Sequence, residues 1–581
     1  MNEESGQRKI IQRIRSLAEE RKKILSLPSE NALDRILNSL EPIALVHSFP
    51  EVDFHYLIQD IGPEDSLPLL ALASDKQLEY ILDQEAWERD RIDRAAVTRW
   101  LDLLLRADSE KAIQWILREK KELVEIYLNK NLQVIVREHD QDPSDFGSRF
   151  FTLDDTFYIR ILDDASAEEE GDIAEKARKE TIRKLLTDLS AHDYFTYQKI
   201  LLESVSVIPA ELEEETYRLR NVRLAEKGFL PFEEAIGVYQ PLTPAELKGR
   251  GRKHLVEPNT REMRMPVPLY PVKVMESDTL FSETLRRIRS EPLLEQLQSE
   301  FAGLCNRIIV SDQKKISSRE ELKEVVKKVG GYLSIGLKQL EAGSELPPEI
   351  QAEKWIRSYP LSDIFRVGFG TAVQLKWRVE KWLKGAWFRK AGLPLSFWGE
   401  QWLGVLGGLL IKRPLYFENF RSGELYREFA SVEDVHSTAA AIEDIAAFDD
   451  LLSRMDIRIR ENYRYMTHKS MLLTLWARHY LGLSETFHSV SMDEFKRLFG
   501  DLFEGEALTP DIRHPRRTRS SVKEGLLKWL SERSGTPMHE ISRQSGNVLE
   551  ALFQEVESEL GSVSSKDLDP KYIHLFIVRE G

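Results

Sequence analysis

The sequence predicts a mainly α-helical, multi-helical protein with one small β element. Three observations predict it. Apolar residues recur at three- and four-residue spacings along most of the chain, which lines them up on one side of successive helices. Two short stretches, about 150–162 and 572–579, read as β candidates, the first with a two-residue period. Composition is the third: of 581 residues, 42% are hydrophobic and 31% charged. That is enough apolar material for real cores, over a length that implies several domains or one long array.

The first segment, 1–136, reads as a superhelical-like helical array. Ile10, Ile14, Leu17 and Ile24 form one apolar stripe, and Pro28 stops that helix. Ser29 is expected to cap the next, with Leu33, Ile36, Leu37 and Leu40 on one face. Further helices are expected at 51–61, 64–72, 74–83, 93–106, 109–117 and 119–135. Turn residues part them: Gly62-Pro63, Ser74-Asp75, Asp90 to Asp93 and Asp108-Ser109. No fixed-period repeat is present, so the array is degenerate.

Within it, His47-Ser48-Phe49-Pro50-Glu51-Val52-Asp53-Phe54, the run Leu57 to Asp65, and the leucines from Leu69 to Leu82 resemble the helical N domain of bacterial magnesium transporters. A flagellar motor-switch protein uses a similar short-helix pattern. The resemblance is mostly a leucine pattern, and no pore segments follow. It implies a compact helical stack for protein contacts or regulation, not magnesium transport.

Segment 137–172 is the β-containing linker. Phe150 to Leu153 and Thr156 to Leu162 are expected to form a hairpin around Asp154-Asp155, with Phe157, Ile159 and Ile161 on one face. An isolated hairpin is marginal in water, so the strand at 572–579 is expected to pair with it. Segment 173–277 is helical and ends in a proline-rich connector carrying Pro241, Pro244, Pro258, Pro266, Pro268 and Pro271. Segment 278–420 holds long helices at 279–312, 318–341 and 350–390, then a Gly/Trp zone. Segment 421–581 is helical and ends in a strand.

The most distinctive motif runs Glu213-Glu214-Glu215-Thr216-Tyr217-Arg218-Leu219-Arg220-Asn221-Val222-Arg223 through Lys227-Gly228-Phe229-Leu230-Pro231 to Tyr239-Gln240-Pro241-Leu242. It resembles the hallmark of an uncharacterised bacterial family of about this length, filed as a domain of unknown function. That resemblance implies membership over nearly the whole chain and no particular activity. Arg220 and Arg223 share a helical face, with Lys227 a turn beyond and Arg218 pointing elsewhere. Two readings follow: an ion-paired helical hairpin, or an arginine fork that grips a carboxylate or phosphate bidentately.

Gly368-Phe369-Gly370 is expected to precede a helix at 371–384, and reads first as close helix packing and otherwise as a glycine turn that could hold an anion. It is not GxGxxG and lacks the Walker lysine. Trp377, Trp382, Trp387, Trp398 and Trp402 make the densest aromatic zone. They read as core or as a partner groove, with Trp377, Trp382 and Trp398 the docking candidates. Arg513, Arg516, Arg517 and Arg519 form a basic patch, read as a solvated loop or as a docking loop for an acidic partner or, against the global charge, for nucleic acid.

Other chemistry is thin. His468 and His479 share a helical face but lie about 16 Å apart, too far for one metal. No HExxH is present, and no metal or cofactor is expected. Cys305, the single cysteine, excludes a disulfide framework and reads as core. A formal charge of −15 disfavours nucleic acid. The charged N-terminus has no apolar signal region. Trp402 to Ile411 is too short to span a bilayer and reads as a buried helix or, with Lys412 and Arg413, an interfacial one. A cytoplasmic location is expected.

The functional expectation is a non-catalytic scaffold, adaptor or regulatory protein that binds other proteins through helical grooves. The alternative is an anion- or nucleotide-binding sensor or enzyme. Its pocket would join the 217–239 motif to the 366–402 zone, with Arg218, Arg220, Arg223, Arg366, Gly368 and Gly370 as ligands.

Overall fold

A computed structural model describes residues 2–163, 171–206, 209–253, 279–316, 318–341, 347–457, 459, 466–484, 486–504 and 515–579. Most of the proline-rich connector, and Arg513, lie outside them. The chain packs as two units: Met1–Leu333 with Leu340–Arg366, and Ser334–Gln339 with Val367–Gly581. It is mainly α-helical, as the periodicity predicts.

The first unit opens with α1 (Asn2–Ile24), α2 (Ser29–Leu37), α3 (Pro42–Ser48), α4 (Glu51–Ile61), α5 (Leu67–Leu72) and α6 (Asp75–Glu85). Prolines set several starts, because a missing N–H costs nothing in a first turn. Pro28, rather than Ser29, holds the cap position of α2. Ser74 and Gln77 form a capping box on α6. The Gln77 amide also donates to the carbonyls of Val46 (2.8 Å) and Phe49 (3.0 Å), tying α6 to the end of α3.

A short ribbon, β1 (Trp87–Glu88) and β2 (Arg91–Ile92), leads into α7 (Arg94–Ala107), α8 (Ser109–Glu119) and α9 (Lys121–Asn131). Asp93 and Asp108 cap α7 and α8 by accepting from backbone amides, as short polar side chains do. Trp100, Trp115 and Tyr127 are fully buried here. Each such side chain contributes roughly 2–3 kcal/mol of burial.

The β element differs from expectation in its partners. Leu132–Val136, expected as the end of a helix, is strand β3 and pairs antiparallel with β4 (Phe157–Ile161). Its Val134-Ile135-Val136 run favours a pleated surface. Phe151 makes an isolated bridge to Ile159 on the other edge of β4, so the expected hairpin is reduced to one rung. The 572–579 strand does not join it.

The unit continues through α10 (Gly171–His192), α11 (Tyr194–Ser206), α12 (Pro209–Ala225), α13 (Phe232–Ala235), α14 (Pro244–Lys248), α15 (Leu280–Arg287), α16 (Glu291–Ser311), α17 (Arg319–Glu341), α18 (Pro348–Ser358) and α19 (Leu361–Gly385). Two expected long helices are each broken. Pro292 sits in the first turn of α16 after a break at 288–290, since a proline deeper in a helix loses a backbone donor and clashes with the preceding turn, and Pro360 separates α18 from α19 by holding Tyr359 extended.

The second unit contains the later part of α19, then α20 (Trp387–Lys390) and α21 (Gly399–Leu410). A hairpin follows, β5 (Tyr416–Phe417) with β6 (Tyr426–Arg427). It lies on a glycine face of α21. Tyr426 Oη donates to Gly404 O at 3.1 Å, and a Cβ at Gly408 would sit 2.7 Å from Leu415 O. The apolar 402–411 stretch is therefore covered along that face by the protein's own hairpin. No helix among the described residues is long and apolar enough to cross a membrane.

The remaining elements are α22 (Val432–Ser453), α23 (His468–Tyr480), β7 (Val490–Ser491), α24 (Met492–Leu502), α25 (Ser520–Ser534), α26 (Met538–Leu560) and β8 (Val578–Arg579). Strand β8 pairs parallel with β7, in register Val490 to Val578. This corrects the expected pairing with 150–162. The cause is local: Phe576 is buried against Phe495 (ring centroids 5.0 Å), and Ile577 N donates to Thr474 Oγ1 (2.9 Å), which anchors the segment beside α24 and α23.

Candidate functional site

The hallmark motif occupies α12 and the turns after it, and Glu213, Arg220, Arg223, Lys227, Tyr239 and Gln240 in it meet distant parts of the first unit. Glu213, buried, accepts from Ile92 N (2.8 Å), Lys130 Nζ (2.6 Å) and Arg91 Nη1 (3.1 Å). Burial opposes charge on Glu213, but these donors prevail and hold its carboxyl below the usual range. Tyr217 packs on Trp87 at 5.5 Å.

Arg223 grips the buried Asp83 carboxylate with two bonds, Nε to Oδ2 at 2.7 Å and Nη2 to Oδ1 at 2.8 Å. Lys120, itself buried, donates to the same carboxylate at 3.1 Å and to Glu79 at 3.1 Å. Arg220 donates to the Asp83 carbonyl and stacks near Trp87 and Tyr217. Burial pulls Arg220 below its ordinary value. It also opposes charge on Arg223, but there Asp83 outweighs it and the value rises.

The motif's tail is pinned as firmly. Lys227 pairs with Glu51 at 3.1 Å. Gly228 has φ +86°, and a Cβ there would lie 2.7 Å from Gly303 Cα of α16, so this turn needs glycine on both counts. Tyr239 Oη donates to Asp312 (2.6 Å), which Lys328 also holds (3.0 Å). Arg366 donates to Gln240 O (2.9 Å) and to Asp363 (3.1 Å). Thus Arg220, Arg223 and Arg366 face protein acceptors, and Arg218 is exposed with no described contact. Gly368 and Gly370 lie inside α19, which starts at Leu361. The expected glycine turn at a helix N-terminus is helix interior.

The aromatic zone of the second unit forms a nest around His468. Trp402 stacks on its ring (4.5 Å, 11°), with Trp398 at 5.5 Å, Phe448 at 5.6 Å and Phe397 at 6.2 Å. Burial, with Lys469 nearby, pushes the imidazole down to about 3, so it is neutral at physiological pH. Nδ1 lies 3.4 Å from Phe397 O, while Nε2 has no partner among the described residues.

Beside this nest the buried Asp449 accepts from Trp387 N (2.9 Å), Phe388 N (3.0 Å) and Trp382 Nε1 (3.3 Å), which caps α20. Burial raises its pKa. Trp398 is buried and Trp382 partly so, as core residues. Trp377 is different: it is 52% exposed on α19.

In the basic patch, Arg516 donates to Gly561 O (3.1 Å) and Val563 O (2.8 Å), and stacks over Phe499 and Phe503. Arg519 donates to Phe503 O at 2.7 Å. Arg517 is exposed. Among the described residues no group of three or more His, Cys, Asp or Glu side chains is placed to hold a metal ion.

The architecture is that of a two-unit, mainly helical protein whose signature motif is wired into its own framework. Residues 8–579 match the model of a family of unknown function (DUF6178), and the chain belongs to that family. Neither curated proteins nor solved structures give a match.

Sequence reasoning picked out the arginines but not Asp83 and Glu79, which Arg223 pairs with, or Lys120, which shares those carboxylates. It weighed His468 with His479 only as a metal pair, and not as the centre of an aromatic nest. The available signal for His468 was the apolar run Met471-Leu472-Leu473 that follows it, which marks a buried helix.

Proposed function

We propose that the protein is a non-catalytic cytoplasmic scaffold or adaptor that binds another protein through a helical surface of its first unit. The observation that carries this is an exposed apolar stripe on α11. Tyr194, Phe195 and Leu202 are 48%, 77% and 49% exposed, and Leu219 and Val222 of α12 are exposed too. Spacings of seven and eight residues put Phe195, Tyr194 and Leu202 on one side of the helix. Contiguous exposed apolar patches mark protein or membrane interaction sites and ligand-binding grooves. A further support is that Arg220, Arg223 and Arg366 already hold protein acceptors, which weakens the rival anion-sensor reading.

The test is a pull-down of the full chain from native lysate at low and moderate salt, beside the Phe195→Glu/Leu202→Glu variant. A partner held by the parent and released by the variant is expected. A chain that recovers no protein but carries a small molecule through purification overturns the proposal.

A further inference from the structure

The exposed tryptophan of the second unit sits in an unusual charge setting for so acidic a chain. On α19, Trp377, Lys381 and Lys384 fall within about 60° of helical arc. All three are exposed. About a quarter turn round the same helix, Lys376 Nζ donates to Ile411 O (2.7 Å) and Lys412 O (3.4 Å), which brings the end of α21 alongside. Ile411 is 44% exposed and Lys412 is exposed. The result is a face with two apolar side chains among three lysines.

None of the ammonium groups of Lys381, Lys384 and Lys412 has a partner among the described residues. The acidic groups nearby are already engaged: Glu380 lies 3.9 Å from Lys376, and Glu443 pairs with Arg378 at 2.9 Å on the far flank. At physiological salt, charges beyond about 8 Å are screened, so the overall −15 does not erase a local positive field.

We propose that this face docks peripherally on a bilayer surface carrying anionic headgroups. Trp377 and Ile411 would enter the headgroup boundary, and the three lysines would meet the phosphates and carboxylates. The residue types favour a bilayer over an acidic protein. Lysine is depleted at protein interfaces, where arginine is preferred. A tryptophan beside lysines is the pattern of an interfacial helix, because long lysine stems keep their charge at the surface while the ring inserts. The proposal concerns the second unit and stands apart from the α11 stripe of the first, so either can fail without the other.

The experiment is co-sedimentation of the full chain with vesicles at about 0.1 M salt. One set is phosphatidylcholine alone, the other phosphatidylcholine with about a quarter phosphatidylserine. Binding to the anionic set alone is expected, weakened by raised salt. Trp377→Ala and Lys381→Glu/Lys384→Glu should each lower partitioning about tenfold or more. Both changes are at exposed positions, so unchanged thermal melting should certify the fold; Lys412→Glu is the substitute should either variant melt early. No binding to anionic vesicles, equal binding to both sets, or parental binding by the variants overturns the proposal. So does retention on immobilised polyglutamate with none on vesicles, which would assign the face to an acidic polypeptide.

Discussion

Asp83 is the residue on which the first unit's charge network turns. Its carboxylate is the shared acceptor of Arg223 and Lys120, and its own carbonyl holds Arg220. Removing one partner of a buried ion pair leaves uncompensated charge and costs about 3–5 kcal/mol. Asp83→Ala is therefore expected to lower the melting temperature sharply, and replacing Arg223 with Met in the same chain should recover part of the loss. An additive double mutant would count against the network.

His468 makes a second residue-scale prediction. An unfolded chain takes up a proton on this imidazole near pH 6.5, whereas the folded chain refuses it until about 3. Acid therefore favours the unfolded state, and stability falls as pH drops through that interval. Between pH 6.5 and 4.5 the parent should lose about 2–3 kcal/mol more than His468→Phe. Parallel losses in the two proteins, followed by thermal melts across pH, would show that the buried imidazole carries no such load.

At the scale of elements, the hallmark motif is a brace. It contacts β2, α6 and α4 on one side and α16, α17 and α19 on the other, through Glu213, Arg223, Lys227, Gly228, Tyr239 and Gln240. Gly228→Ala combines a left-handed backbone with a clash on the Gly303 backbone. A cost of about 2–4 kcal/mol is expected, read as a lower denaturant midpoint.

Much of this was legible locally. Helices α4 and α6 to α8 start where proline, serine or aspartate stands before an apolar stripe, and the sequence places them closely. What was not legible was non-local. Arg223 and Asp83 are 140 positions apart, and no spacing rule joins them. The strand Leu132–Val136 carries on an apolar run from α9, so only its β-branched content distinguishes it from more helix. Gly368 and Gly370 resemble a turn in isolation, yet both are buried within α19, where a small residue allows close packing.

For the whole molecule, the chain divides into two compact units. The boundary at 366–367 falls within a helix, where composition gives no cue. It also separates the two proposals, one surface in each unit. The C-terminal segment belongs to the second unit through Phe576, which is 2% exposed. Phe576→Ala should cost about 3–5 kcal/mol and strip hydrogen-exchange protection from Val490, whose amide bonds to Ile577 O at 2.9 Å. Val490 protection equal to the parent's would show that the strand pair holds without this ring.

That pairing has a consequence during synthesis. Positions 490 and 578 lie 88 residues apart, and ribosomes add about 5–20 residues per second. For about 4–18 s, then, a nascent chain presents β7 and the Phe495 face of α24 without the C-terminal strand and Phe576 that later pack on them. A bare strand edge next to an aromatic ring is what holdase chaperones and neighbouring nascent chains recognise. Translation speed across α25 and α26 thus becomes a determinant of yield, and slow codons there should raise aggregation without altering any residue of the mature fold.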